Sequence, residues 1–184
     1  MADLKILGIC GSLRKASFNM AALRACDELM PQGMKLTIAR LDDIPMYNQD
    51  VFDAGLPEAV KRLRGEIAAA DGLLFACPEY NFSLSAPLKN AIDWASRPPN
   101  QAFQDKPAAI FSCTQGPLGG ARVQYDLRRM LVQLWAFPLP RPEVFIGNAP
   151  SKFAEGKLTD ETTRKFLVDL LTGFKDWIAR MQKK

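Results

Sequence analysis

Leu4-Lys5-Ile6-Leu7-Gly8-Ile9-Cys10 followed by Gly11-Ser12-Leu13-Arg14-Lys15-Ala16-Ser17-Phe18-Asn19 is the stretch that decides the fold. The apolar run Leu4 to Cys10 reads as a buried strand. Helical periodicity takes over from about Phe18 to Met30, with Ser17 placed as an N-cap. The loop between them is crowded with hydroxyls, an amide and two cations. Gly11 permits a tight turn and close backbone approach. Backbone N–H groups of the turn and of the helix start can converge on one oxyanion. Ser12, Ser17 and Asn19 add neutral donors, and Arg14 adds charge and a fork of donors. Taken alone, the loop also admits a plainer reading, a solvated connection that caps a helix.

Spacing excludes several known anion loops. GxxxxGK[ST] is absent, and so is GxGxxG, because Gly8 and Gly11 are not followed by a third glycine. A C-x5-R phosphatase loop starting at Cys10 would need arginine at position 16, which is Ala16.

Outward from this junction, strand-like and helix-like segments alternate. Lys35 to Leu41 reads as a second strand, followed by a loop to Leu56. Pro57 suits the first position of a helix striped by Val60, Leu63, Ile67 and Ala70. Gly72 to Cys77 is a continuous apolar run, expected of a third strand buried on both faces. Ala108 to Cys113 reads as a fourth strand. A short helix carries Leu88, Ile92 and Ala95 and ends before Pro98-Pro99. Another carries Val123, Leu127, Met130, Leu131 and Leu134. Glu143 to Ile146 reads as a fifth strand, and a last helix runs from about Asp160 to Met181. Five strands alternating with five helices predict one α/β domain over residues 1–184, a parallel sheet covered on both faces. Ligands in such folds bind beyond the carboxyl ends of the strands. The loops after the first, third and fourth strands would meet there.

The composition narrows the chemistry. Of 184 residues none is histidine, which removes Ser-His-Asp and Cys-His machinery and histidine metal sites. No metal site is expected. The four cysteines, Cys10, Cys26, Cys77 and Cys113, are scattered, three of them in apolar runs, and read as small buried hydrophobes or, in a second reading, as including a reactive thiol near a ligand. A net charge of +4 is too mild and too evenly spread to suggest nucleic acid. No run approaches the ~18 apolar residues of a membrane span, and Met1 to Lys5 lacks a secretory pattern, so a cytoplasmic protein is expected.

The second loop, Cys77-Pro78-Glu79-Tyr80-Asn81-Phe82-Ser83, pairs flat apolar faces with hydrogen-bonding groups. It suits a planar heteroaromatic ring with polar edges, or an ordinary aromatic surface loop. The third, Gln115-Gly116-Pro117-Leu118-Gly119-Gly120, has little side-chain bulk, which suits either close approach of a ligand or a plain connection.

Together, Gly11-Ser12-Leu13-Arg14-x-x-Ser17-x-Asn19, Pro78-Glu79-Tyr80-Asn81-x-Ser83 and Leu88-Lys89-Asn90-Ala91-Ile92-Asp93-Trp94-x-Ser96-Arg97 resemble the NADPH-dependent FMN reductase family. The likeness is to its chromate- and quinone-reducing members. It continues through Gly119-Gly120-Ala121-Arg122-x-Gln124-Tyr125 and Pro142-Glu143-Val144-Phe145. One departure is Ser85-Ala86-Pro87, where the family often has Pro or Gly before the helix. The resemblance implies a flavodoxin-like fold with strand order 2-1-3-4-5 and non-covalent FMN. Ser12, Leu13, Arg14, Ser17 and Asn19 would hold the FMN phosphate. Pro78, Glu79, Tyr80, Asn81 and Phe82 would bracket the isoalloxazine, largely through backbone contacts, and Thr114 would reach its other side. The helix of Leu88 to Trp94 would pack across a dimer interface, with Arg122, Tyr125 and Glu143 as further subunit contacts in a homodimer or homotetramer.

The implied activity is ping-pong: NAD(P)H delivers hydride to flavin N5, leaves, and a small-molecule acceptor takes its place. Quinones, chromate, azo compounds or free flavin would serve as acceptors. No side chain need act as a catalytic acid or base, in keeping with the absence of histidine. Two other readings are a flavodoxin-type electron carrier and a flavin-binding regulatory protein, both distinguished by a lack of turnover.

Overall fold

Gly72–Ala76 and Pro107–Cys113 are buried at every position, which places them at the centre of the sheet. A computed structural model describes residues 3–182 of the chain. In chain order, β1 (Leu4–Cys10), α1 (Phe18–Glu28) and β2 (Met34–Ile38) come first. Next come α2 (Gln49–Ala54), α3 (Glu58–Ala69) and β3 (Gly72–Ala76). A two-stranded hairpin, β4 (Glu79–Tyr80) and β5 (Ser83–Leu84), leads to α4 (Ala86–Ala95). Then follow β6 (Pro107–Cys113), α5 (Ala121–Gln133), β7 (Phe137–Pro138) and β8 (Val144–Ile146). A second hairpin, β9 (Phe153–Ala154) and β10 (Lys157–Leu158), precedes α6 (Glu161–Met181).

The sheet is parallel, ordered β2-β1-β3-β6, with the last position shared. β7 pairs the start of β6, Pro107 opposite Phe137, and β8 pairs its end, Cys113 opposite Ile146. The expected order therefore holds, but the single fifth strand is two short ones. Pro140 and Pro142 between them have no N–H to donate, which breaks the ladder. β8 begins at Val144 rather than Glu143.

Alternation along the strands sorts side chains onto two cores. Ile6, Leu74, Ala109 and Phe111 pack with α1 and α6. Leu7, Ile9, Phe75 and Ile110 pack with α3, α4 and α5. The expected stripe of α3 is buried at Val60, Leu63 and Ile67, with Ala70 buried at its C-cap. Of the residues expected to face inward on α6, Leu167, Leu170, Leu171, Phe174 and Ile178 are buried, whereas Trp177 and Met181 are only half-buried.

Other differences are local. Pro57 is the N-cap of α3 rather than its first residue. The second strand stops at Ile38. The loop to Leu56 contains α2, capped by the Asn48 side chain on Asp50 N. No residue of α2 is buried, so it has no apolar stripe to announce it. Among the described residues no helix is long and apolar enough to cross a membrane.

Candidate functional site

The three loops expected to meet do so. Residues following β1, β3 and β6 line one cavity of about 190 Å³ at the carboxyl edge of the sheet. Ser12, Arg14, Ser17, Asn19, Pro78, Glu79, Tyr80 and Thr114 are all in its wall. Phe18, Cys113 and Gln115 also line it and were not anticipated, although each adjoins a residue that was. Leu13, Asn81 and Phe82 stand outside the wall and are exposed. The volume is below the ~300–1,000 Å³ of typical ligand pockets.

Of the helices that start at this edge, α1 and α5 differ in their electrostatics. α5 has Gly120 at its N-cap, in the left-handed region (φ 81°), with no side-chain cap of its own. Glu79 supplies one from the neighbouring loop. Its Oε2 accepts from Arg122 N (3.1 Å) and Val123 N (3.2 Å), and its Oε1 lies 3.4 Å from Arg122 Nη1. The positive end of α5 is thereby neutralised. α1 has only the Ser17 hydroxyl, which accepts from Met20 N at 3.2 Å, and no acidic residue in its first turn. Of these two helix starts, the one beside Arg14 is free of carboxylate and the one at α5 is not.

Asn19 is engaged more than its sequence position suggests. Its Nδ2 donates to Cys113 O (2.8 Å) and its Oδ1 accepts from Cys113 N (3.0 Å). This buried pair continues the ladder of β6 onto α1 and fixes the helix start against the third loop. One N–H of the amide remains for a ligand.

The glycines answer to packing. A Cβ on Gly11 would lie 2.7 Å from Ser85 Oγ and 2.8 Å from Pro78 Cδ, so its small size lets β1 exit against the second loop. Ser85 Oγ donates to Gly11 O at 2.6 Å across the same contact. Gly119 (φ 61°) would place a Cβ 2.6 Å from the Phe145 carbonyl carbon. Its bareness serves the turn into α5 rather than the approach of a ligand. Ser112 Oγ, which Gln124 Nε2 reaches at 2.8 Å, donates to the Gly119 carbonyl and holds that turn.

The second loop is the hairpin β4–β5, with Asn81 (φ 49°) and Phe82 (φ 65°) as its two central residues. Two positive φ values define a type I′ turn, a conformation costly for phenylalanine. Phe82 is 65% exposed, and the Arg122 guanidinium stands 4.1 Å from its ring centroid. Glu79, Arg122 and Phe82 thus tie the aromatic hairpin to α5.

Trp94 is fully buried and donates to Pro45 O (2.7 Å), and Asn90 accepts from Tyr47 N (2.7 Å). These motif residues clasp the loop after β2 rather than face outward. Arg128 reaches Glu143 at 3.8 Å, and Tyr125 is exposed. All four cysteines are buried and unbridged. Burial pushes the Cys113 thiol up to about 12, against a smaller opposing pull from Lys152. Among the described residues no group of His, Cys, Asp or Glu is placed to hold a metal.

A doubly wound parallel sheet with an acid-free helix N-terminus and an aromatic hairpin at its switch point defines a flavodoxin-like nucleotide-binding protein. Residues 4–151 match the profile of the NADPH-dependent FMN reductases. The chain is 50% identical over 181 residues to an NAD(P)H-dependent FMN reductase of Pseudomonas aeruginosa, covering 98% of each. It is 44% identical to an NADPH:quinone oxidoreductase of Arabidopsis thaliana, covering 98% of this chain and 95% of the other. The solved structure of FerB, a flavoenzyme NAD(P)H:(acceptor) oxidoreductase from Paracoccus denitrificans, superposes with a TM-score of 0.87 at 35% identity, covering 97% and 98%. The chain belongs to the NADPH-dependent FMN reductase family. It is an oxidoreductase that works with FMN and NAD(P)H.

Proposed function

We propose that this protein is an NAD(P)H:quinone oxidoreductase whose FMN phosphate lies at the start of α1 and whose flavin ring lies against the β4–β5 hairpin. The observation that carries the reading is the contrast between the two helix N-termini, one closed by Glu79 and the other open beside Arg14. The residues present fit the group. The hydroxyls of Ser12 and Ser17, the free N–H of Asn19 and the Arg14 guanidinium suit a phosphate dianion, and the Ser12–Leu13 backbone approaches from the same side. The enclosed volume suits the phosphate end, and Tyr80, 46% exposed, offers a flat surface on the rim. Pro78, Glu79 and Asn81 would meet the ring edge through their backbone, with Phe82 beside it and Thr114 across from them.

When bound, FMN supplies two-electron transfer from NAD(P)H to an acceptor. The protein's part is to hold the ring flat, keep one face open and place successive partners on it. No acid or base is required of the side chains. An open face is also tolerant of shape, so azo compounds, free flavin and chromate are proposed as further acceptors. The Trp135 side chain, 66% exposed beside a groove of about 570 Å³ between α4 and α5, supports self-association as a homodimer or homotetramer. A cytoplasmic location fits these partners.

Purified protein should be yellow, bleach anaerobically with NADPH and recover its colour with a benzoquinone. Arg14→Ala should weaken FMN binding by ~1.5–3 kcal/mol, the loss of one charge-assisted contact. Unchanged FMN affinity in that variant would move the phosphate elsewhere. FMN retained without NAD(P)H:quinone turnover would make the protein an electron carrier or a flavin-binding regulator.

A further inference from the structure

Behind the cofactor cavity lies a second and larger one, about 650 Å³, between α1 and the β9–β10 hairpin. Arg14, Ser17 and Phe18 line both, so this groove begins where the FMN cradle ends. Its depth comes from Ala21 and Ala25, small residues on the α1 face that forms its floor. The hairpin makes the opposite wall. Its turn, Glu155 (φ 49°) and Gly156 (φ 76°), is anchored where Phe153 packs on Phe18 with ring centroids 5.1 Å apart.

The groove is lined by five cations and two carboxylates, Glu28 and Glu155. Only Arg164 of the five is spoken for, at 3.6 Å from Glu28 and 3.9 Å from Glu161. The side chains of Arg14, Lys15, Arg24 and Lys157 have no carboxylate partner and no hydrogen bond among the described residues. Arg24 lies in the middle of α1 and Lys157 on β10, so two of these charges line the groove from different regular elements. Unpaired cations lining a trough attract a multiply charged anion.

We propose that this groove receives the 2′-phosphoadenosine end of NADPH. The inference rests on the FMN placement above, which puts one dianion at Arg14 and leaves Arg24, Lys15 and Lys157 for a second. A dinucleotide whose nicotinamide meets the flavin ring is longer than FMN, and because the two cavities are continuous at Arg14, Ser17 and Phe18, an adenosine end laid past the FMN phosphate enters this groove. That end is where NADPH and NADH differ, by one phosphate. A trough of small residues lined by cations accommodates the extra group, and NADH offers only a neutral 2′-hydroxyl in its place.

The test uses FMN-loaded protein and a double variant, Arg24→Gln with Lys157→Gln. Adenosine 2′,5′-bisphosphate and 5′-AMP are titrated by calorimetry, and kcat/KM is measured with NADPH and NADH. Wild type should bind the bisphosphate at least about tenfold more tightly than 5′-AMP, the scale of one charge-assisted contact. The double variant should bind the two alike, and its NADPH-to-NADH ratio of kcat/KM should fall by about tenfold or more. Equal binding of the two nucleotides by wild type overturns the proposal, as does a ratio unchanged in the variant. Inorganic phosphate competing as well as the bisphosphate would make the groove a general anion site and also overturn it. Protein that holds no FMN is seen colourless before any nucleotide is added, and takes the groove assignment down with the cradle. Yellow protein blind to the 2′-phosphate refutes the groove alone.

Discussion

Replacing Glu79 with alanine should destabilise the protein by about 2–3 kcal/mol, and the structure says where that comes from. The Glu79 carboxylate accepts from two backbone amides in the first turn of α5 and approaches the Arg122 guanidinium, with its side chain only 11% exposed. Loss of a helix cap costs about 0.5–2 kcal/mol. Leaving two half-shielded N–H groups at a positive helix end adds to that, and hydrogen bonds to a charged acceptor fall at about 1.5–3 kcal/mol. The ion pair adds little, because Arg122 is 47% exposed and such pairs contribute about 0–1 kcal/mol. At ~2–4 °C per kcal/mol for a chain of this size, Tm should fall by roughly 5–10 °C. Glu79→Gln keeps an acceptor oxygen and loses only the charge, so its cost should be about 1 kcal/mol. Urea unfolding of the FMN-free protein, followed by circular dichroism, separates these effects from ligand binding. FMN titration of the same variants should show weakened affinity in the alanine form, because Glu79 also holds the hairpin that carries Tyr80 and Phe82. An alanine variant within about 0.5 kcal/mol of wild type would refute the capping argument, since an ordinary surface change has that size.

Asn19→Leu removes both buried hydrogen bonds to Cys113 and should cost about 2–4 kcal/mol in urea unfolding; a loss under about 1 kcal/mol would mean that water replaces the amide. Phe82→Gly relieves a positive φ at about 1–2 kcal/mol and forfeits the Arg122 stack at about 0.5–1 kcal/mol, so FMN-free stability should stay level or rise. FMN affinity should drop in the same variant, and a variant that is both destabilised and normal toward FMN would contradict the reading of the hairpin. The cysteines predict alkaline sensitivity. Burial raises the thiols of Cys10, Cys26, Cys77 and Cys113, the last to about 12. Unfolded thiols lose protons near ~8.5 while folded ones keep theirs, so the unfolded state binds fewer protons and stability falls as pH rises. Their contribution is intact below ~8.5 and is lost as pH climbs toward the folded values. Tm should decline from about pH 8.5 upward, and less steeply in Cys113→Ala; an identical slope in the two proteins would remove Cys113 from this account.

Much of the molecule was legible because its signals are local. The apolar runs at β1, β3 and β6 need only composition, the stripes on α3 and α6 need only periodicity, and Ser17 declares the start of α1. Eight of the eleven residues expected at the cofactor site do line one cavity, since strand order alone brings those three loops to one edge. What was not legible depends on partners far along the chain. Asn19 reads as a ligand donor, yet its amide meets Cys113, 94 positions away. Glu79 reads as a hydrogen-bonding group for a ring, yet its carboxylate closes α5, 43 positions away. Gly11 and Gly119 read as openings for a ligand, yet each is small because another loop presses on it. α2 has no buried face, so no periodicity marked it.

The amino-acid sequence by itself therefore determined the alternation of elements, the parallel sheet and the collection of anion-binding groups behind the first strand. Those properties follow from hydrophobic period and local hydrogen-bonding capacity, which each segment carries with it. The tertiary structure decided which helix end stays open to an anion, because that turns on whether a carboxylate from another loop already occupies it. It also decided that cations of α1 and of the last hairpin line one groove, an arrangement that exists only once both pack against the same sheet.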